Sequence, residues 1–283
     1  MTSPDQPVVL TPDQVREWLG GPRFGRYLTA ADGDAGRALA LYEWNSHMAA
    51  AALRDVGHFE VAMRNAYDAE LSARYPDWAA DPGTGLFRLE SGPAKDRVPQ
   101  RRINAGSVDK LNVARAGLGG QPSHGQVVAA LDFGFWTQLT AKERTSTLWT
   151  PMVARAFPVH VTRAEAHSLV DRVRKFRNRL AHNEPVFSNK TGLVKRMEET
   201  ETLFRLLRPE AAEWVRQHSD VPRLIARCPV PGLMPTTGRT WPMTAAQVAA
   251  LSIPRSSRPA RPAKSTRTVP DPSRRPKPPG QSL

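Results

Sequence analysis

Within this chain of 283 residues, the run Arg177-Asn178-Arg179-Leu180-Ala181-His182 is the one best equipped for chemistry. A guanidinium keeps its proton and offers five donors to an anion. An imidazole moves protons near neutral pH. Both groups suit the cleavage of an RNA phosphodiester, in which the 2′-hydroxyl supplies the nucleophile and no metal is essential. His182 would serve as general base or acid, a role typically worth about 10²–10⁴-fold in rate. Arg177 would neutralise charge building on the phosphate, and Asn178 would hold an oxygen or a water. These three are the candidate catalytic residues.

The element that must position them runs from Thr162 to His182. At about 100° per residue, Ala166, Leu169, Val170, Val173 and Leu180 fall on one stripe, with Arg177 near its middle. Burying a guanidinium is costly unless it finds an acceptor. Either another part of the protein supplies one, or the stripe faces a wet groove that takes an anion. Residues five apart on an ideal helix point about 140° away from each other. Two arrangements bring Arg177 and His182 to one phosphate. The last turn distorts, because Pro185 disfavours helix at Glu184, or two copies pool side chains across a twofold axis. The plainer reading is a basic helix end. Arg172, Arg174, Lys175 and Arg179 then form a solvated face, and His182 interacts with the helix C-terminus.

Glu60 and Arg64 are four apart, the spacing of a helix-stabilising ion pair, and Asn65 follows. The functional alternative is that Glu60 or Asn65 orients Arg177. Trp44 reads as core. Phe133-Gly134-Phe135-Trp136 reads as a packing corner, with a base-stacking platform as the second reading. Gly117, Gly119 and Gly120 lack the Lys-Ser/Thr of a phosphate loop. His47, His58, His124, His160, His167 and His218 show no metal-ligand spacing with carboxylates, so neither metal nor cofactor is expected.

The remaining pattern is helical. Thr11, Pro12 and Gln14 signpost a first helix that ends at Gly20-Gly21. A long helix follows from about Gly36 to Tyr75, with Gly57 as a place to kink or divide it. Residues 76–99 are turn-rich. Helices are expected at Gln100–Gly117, His124–Leu139, Ala141–Ala156, Gly192–Arg208, Pro209–His218 and Val221–Cys228. No alternating strand pattern occurs, so the fold class is all-α with bundle packing. Beyond about Pro229 periodicity fades, save for a short helix at Thr244–Leu251, and from Pro254 a Pro/Arg-rich tail is expected to be disordered.

Net charge is +13. From Pro254 onward eight basic side chains stand against Asp271 alone, a net +7 in that tail. The rest is mildly basic. The balance suits polyanionic partners and equally a GC-rich coding bias. The longest apolar run, Met48–Leu53, is far short of the roughly 20 residues that span a bilayer. The N-terminal residues do not read as a signal peptide. With Cys228 alone, disulfides within the chain are excluded, and a reducing, cytoplasmic setting without membrane association is expected.

Four segments occur in order: Leu41-Tyr42-Glu43-Trp44-Asn45, Glu60-Val61-Ala62-Met63-Arg64-Asn65, Phe133-Gly134-Phe135-Trp136, and Arg177 through Pro185. Together they resemble the Abi-like (abortive infection) bacterial proteins, a branch of the HEPN superfamily, over roughly residues 35 to 230. The resemblance implies a HEPN-like helical bundle, a homodimer, and a link to bacteriophage defence and toxin–antitoxin systems. It implies metal-independent endoribonuclease activity through an R-x-x-x-x-H motif, here Arg177 to His182. Asn183 departs from the pattern, standing where many Abi-like sequences carry a second histidine. Some HEPN relatives serve only as binding modules, which leaves a non-catalytic RNA-binding or protein-interaction role as the alternative. Glu60, Arg64, Asn65, Asn183 and Glu184 are the supporting candidates. Arg174, Lys175 and Arg179 are the RNA-binding ones. RNA, a second copy and an antitoxin protein are the expected partners. The expected organisation is an N-terminal helical extension (1–34), the helical domain (35–230), an irregular segment (231–253) and the basic tail (254–283).

Overall fold

The computed structural model describes residues 8–80, 85–187 and 192–234. The expected helix at Thr244–Leu251 and the basic tail lie outside these residues. Helices are the only regular elements among the described residues, which contain no strand. No helix among them is long and apolar enough to cross a membrane.

Helix α1 (Pro12–Leu19) begins as expected, with a capping box between Thr11 and Gln14 and proline in the first turn. Gly20, at φ +78°, then redirects the chain rather than ending helical structure. Helix α2 (Gly21–Ala30) starts at once, with Pro22 in its first turn. The sequence reading has no helix here, because Gly-Gly-Pro serves equally as a stop and as a start. Phe24 and Tyr27 of α2 are fully buried.

Helix α3 (Ala35–Ser72) spans 38 residues from the Asp34 cap. Gly57 neither kinks nor divides it. A helix this long stays helical because packing on several sides outweighs the one glycine in its interior. Leu41, Met48, Ala52, Val56, Phe59, Met63, Tyr67 and Leu71 are fully buried. This central helix packs against α1, α2 and most of the later helices.

Helix α4 (Ala94–Leu118) starts six residues before the expected Gln100 and carries Pro99 inside it. It follows a single 3₁₀ turn, Leu86–Arg88. The expected helix His124–Leu139 is two helices, α5 (His124–Ala130) and α6 (Phe133–Gln138). Asp132 caps α6 through its side chain, which accepts from the Phe135 amide at 2.6 Å. Such a cap is worth about 1 kcal/mol and starts a new helix where the apolar pattern alone reads straight through.

Residues 141–156 are not one regular helix. They form a 3₁₀ turn (Lys142–Arg144), a π turn (Thr145–Trp149) and another 3₁₀ turn (Val153–Ala156). Arg144 lies within this irregular segment. It is fully buried and donates to the Ile103 carbonyl, the Asn104 amide oxygen and the Ser107 hydroxyl of α4. Its guanidinium lies 5.2 Å from the centre of the Phe87 ring.

Helix α7 (Arg163–Ala181) has a capping box between Thr162 and Glu165. After it come α8 (Leu193–Leu207), α9 (Pro209–Gln217) and α10 (Val221–Ala226). The aromatic corner is core: Phe133, Phe135 and Trp136 are buried. Phe135 stacks on Trp78 with centroids 5.9 Å apart and planes 10° apart. These rings are covered by protein, which removes the base-stacking reading. Trp44 is also buried, as expected, and its indole N–H donates to the Leu224 carbonyl at 2.7 Å.

Candidate functional site

Helix α7 buries Ala166, Val170, Val173, Phe176 and Leu180 against its neighbours. Arg177 stands at the margin of this stripe, with its side chain 38% exposed. Its Nε lies 3.6 Å from Glu60 Oε2 on α3. That is an ion pair rather than a hydrogen bond, and the buried Nε donates to no acceptor. The protein therefore supplies a counter-charge on one edge of the guanidinium and no hydrogen-bond acceptor for its Nε.

Glu60 faces across to Arg177 and forms no ion pair with Arg64 on its own helix. Arg64 donates instead to the Ala129 carbonyl at 3.3 Å. This replaces the i,i+4 pair expected from spacing. Packing turns Glu60 toward α7, where its carboxylate pairs with Arg177. Asn65 is exposed and takes no part in this contact.

The end of α7 is built by hydrogen bonds. The helix runs regularly to Ala181, and His182 is its C-cap at φ −91°, ψ 8°. The last-turn distortion that would swing Arg177 and His182 together is not seen. Asn183 adopts the left-handed region at φ +49°. Its amide donates to the Leu180 carbonyl at 3.0 Å, and the Glu184 amide donates to the Arg179 carbonyl at 3.0 Å. These two bonds are the Schellman pattern that closes helices. The Asn183 side chain donates to Ser46 Oγ at 2.9 Å and accepts from Asn45 Nδ2 at 3.2 Å.

Asn45, fully buried on α3, clamps this turn. Its Nδ2 also reaches the Glu184 carbonyl at 3.4 Å, and its Oδ1 accepts from the Val186 amide at 2.8 Å. Asn183 is thus a structural cap. The left-handed conformation, which asparagine tolerates better than most side chains, is the physical need at that position.

His182 is exposed, as is Asn178 one turn before it. Near-helical backbone to the end of α7 puts these two on one face and leaves Arg177 about 140° round the axis. Within one protomer, the described geometry brings together Arg177 with Glu60, and His182 with Asn178. It does not join the two pairs.

The basic face differs from a bare cationic stripe. Arg174 and Lys175 share Asp171, at 2.8 Å and 2.7 Å. Arg172 pairs with Glu199 at 3.0 Å, and Arg179 with Glu184 at 3.1 Å. Every basic residue expected to hold RNA on this helix therefore lies against a carboxylate, and its field is partly cancelled. Bonding to Lys175 and Arg174 outweighs the effect of burial and holds the Asp171 carboxyl below its ordinary range. It remains charged at neutral pH.

Sequence reasoning overlooked Arg23 and Arg26. They lie three apart on α2 and are exposed. With Pro22, Glu184 and Pro185 they line an open cleft of about 390 Å³ beside the turn that carries His182. Arg23 Nη2 lies 3.5 Å from the His182 carbonyl. Their signal was i,i+3 spacing on a helix, and it was invisible while that helix was unrecognised. Among the described residues no group of three or more His, Cys, Asp or Glu side chains is arranged to hold a metal ion. No family model matches the chain, and neither a curated protein nor a solved structure proves similar to it.

Proposed function

We propose that this protein is a metal-independent endoribonuclease of bacterial phage defence, of the abortive-infection or toxin–antitoxin type, acting in the cytoplasm as a homodimer with composite sites. The observation that carries this reading is the state of the two key side chains. His182 is exposed on a turn held rigid by Asn45 and Asn183. Arg177 is steadied by Glu60 on one edge, while among the described residues its Nη groups make no hydrogen bond. A guanidinium held from behind and free in front is arranged to receive a phosphate.

In the reaction the RNA 2′-oxygen bonds to the adjacent phosphorus, and the bond from phosphorus to the 5′-oxygen breaks. His182 takes the 2′-hydroxyl proton, and an imidazolium returns a proton to the departing 5′-oxygen. A partner subunit would supply that second imidazole, which the Asn183 position does not. Arg177 stabilises charge on the phosphoryl oxygens, and Asn178 orients one of them. The products are a 2′,3′-cyclic phosphate and a 5′-hydroxyl. The roughly 140° between Arg177 and His182 on one helix is what calls for the second subunit.

Purified protein in EDTA should cleave RNA. His182→Ala should lower the rate by about 10²-fold or more while the thermal midpoint stays within a few degrees, because the His182 side chain is exposed. An alanine variant that cuts as fast as the parent overturns the mechanism. The alternative is a non-catalytic RNA-binding or protein-interaction module, in which RNA binds without turnover. The Arg177–Glu60 ion pair favours a different second reading, a purely structural role, in which Arg177→Ala lowers thermal stability and RNA is irrelevant.

A further inference from the structure

We infer that Arg23 and Arg26 of α2 form a phosphate subsite for single-stranded RNA, next to the His182 turn. This inference rests on the endoribonuclease reading for its substrate. It stands on three observations of its own. Both guanidiniums face an open cleft of about 390 Å³ whose far wall is Glu184 and Pro185. Among the described residues neither arginine has a carboxylate partner, whereas Arg174, Lys175, Arg177 and Arg179 each lie against one. The acidic wall of the cleft, Glu184, is itself engaged by Arg179 at 3.1 Å, so the cleft keeps a positive balance.

Arginine suits this task because its planar fork takes phosphate oxygens two at a time. The spacing also fits. Residues three apart on a helix lie about 5–6 Å apart at their Cβ atoms, so two long side chains can embrace one phosphate or reach two successive ones. Arg23 additionally reaches the carbonyl of His182 itself. A phosphate seated on these arginines therefore lies beside the residue expected to move protons. The subsite holds the strand flanking the scissile phosphate. Its contribution is to binding, and Arg23 and Arg26 take no part in bond breaking.

The test uses the full chain and a fluorescein-labelled single-stranded RNA of roughly 16 nucleotides, a length within the range such sites cover. Binding is read by anisotropy across a salt series. The Arg23→Gln/Arg26→Gln variant should bind about tenfold more weakly. Its dependence of log affinity on log salt should flatten by roughly 1.4, the value for two lost phosphate contacts on a single strand. Arg97→Gln/Arg101→Gln on α4, an element packed against the Leu86–Arg88 turn and α5, serves as control and should flatten it less. Where the parent cleaves RNA, the α2 variant should raise KM and leave kcat near the parent value.

Unchanged affinity and slope in the α2 variant, or a parent that does not bind RNA, overturns the subsite. An α2 variant no worse than the α4 control does the same. Cleavage lost in His182→Ala but binding unaffected by the α2 variant sinks the subsite and leaves the function standing. Binding that depends on Arg23 and Arg26 without any cleavage does the reverse.

Discussion

Asn183 is set by its backbone before its side chain. At φ +49° an ordinary residue pays about 1 kcal/mol or more, and the side chain also makes two hydrogen bonds, each worth about 1 kcal/mol net. Asn183→Gly keeps the backbone easy and loses both bonds, so it should cost about 2 kcal/mol. Asn183→Ala loses the bonds and strains the backbone, and should cost about 3 kcal/mol in urea unfolding. Equal costs for the two variants would show that the backbone does not matter there. Arg144 is a second case of a side chain decided by its surroundings. Burial pushes its guanidinium down from the usual arginine range, yet it stays charged and faces only neutral acceptors. Removing it takes the donor from the Ile103 carbonyl, the Asn104 amide oxygen and the Ser107 hydroxyl, a loss of about 1–3 kcal/mol. Arg144→Met, which keeps the space filled, should cost about 1–2 kcal/mol. Arg144→Ala, which empties the space beside Phe87, should cost about 3 kcal/mol.

Helix α3 carries the site from the other side, since Asn45, Ser46 and Glu60 all lie on it. Asn45 reaches the turn after α7, and Glu60, fifteen residues further along the same helix, reaches Arg177. One rigid rod therefore sets both the imidazole end and the guanidinium end of α7. The glycine within this rod is not a hinge. A Cβ added at Gly57 meets nothing within 4 Å, and its φ is not positive. Gly57→Ala should accordingly raise stability by about 0.5–1 kcal/mol, read as a higher urea midpoint at unchanged slope. A drop would mean that the rod bends there in solution.

The whole molecule responds to pH through acids buried where its helices meet. Asp55 of α3 and Glu201 of α8 both line a cavity of about 20 Å³, near the space one water needs. Burial pushes the carboxyl of Asp55 up, against Ser219 and Arg54, and burial likewise raises Glu201 against Arg205. A carboxyl raised on folding adds stability that is fully present below its unfolded range and is lost as pH rises through its folded value. Asp55→Asn should remove that loss. The variant should gain thermal midpoint over the parent at pH 7 and little at pH 4. Glu213 acts the other way. Bonds from Arg216 and Arg205 hold it well below the ordinary carboxylate range, so its contribution is present at neutral pH and lost in strong acid. A thermal midpoint for Asp55→Asn that follows the parent at every pH would show that Asp55 is not desolvated.

Sequence by itself determined what depends on near neighbours. The Thr11–Gln14 cap marks α1 and apolar spacing marks α7 almost to the residue, because helix hydrogen bonds and capping boxes close within four positions. They marked the all-helical class for the same reason. Where two local signals conflict, the reading failed: Gly20-Gly21-Pro22 hid α2, and Asp132 split an apolar run. Tertiary structure alone decided the pairings that cross from one helix to another. Glu60 has Arg64 at the right spacing on its own helix and pairs with Arg177 instead, since the face it presents is chosen by packing across the core. The same packing of α2 against α3 carries Arg23 and Arg26 to the end of α7, although Arg23 and His182 lie 159 positions apart along the chain.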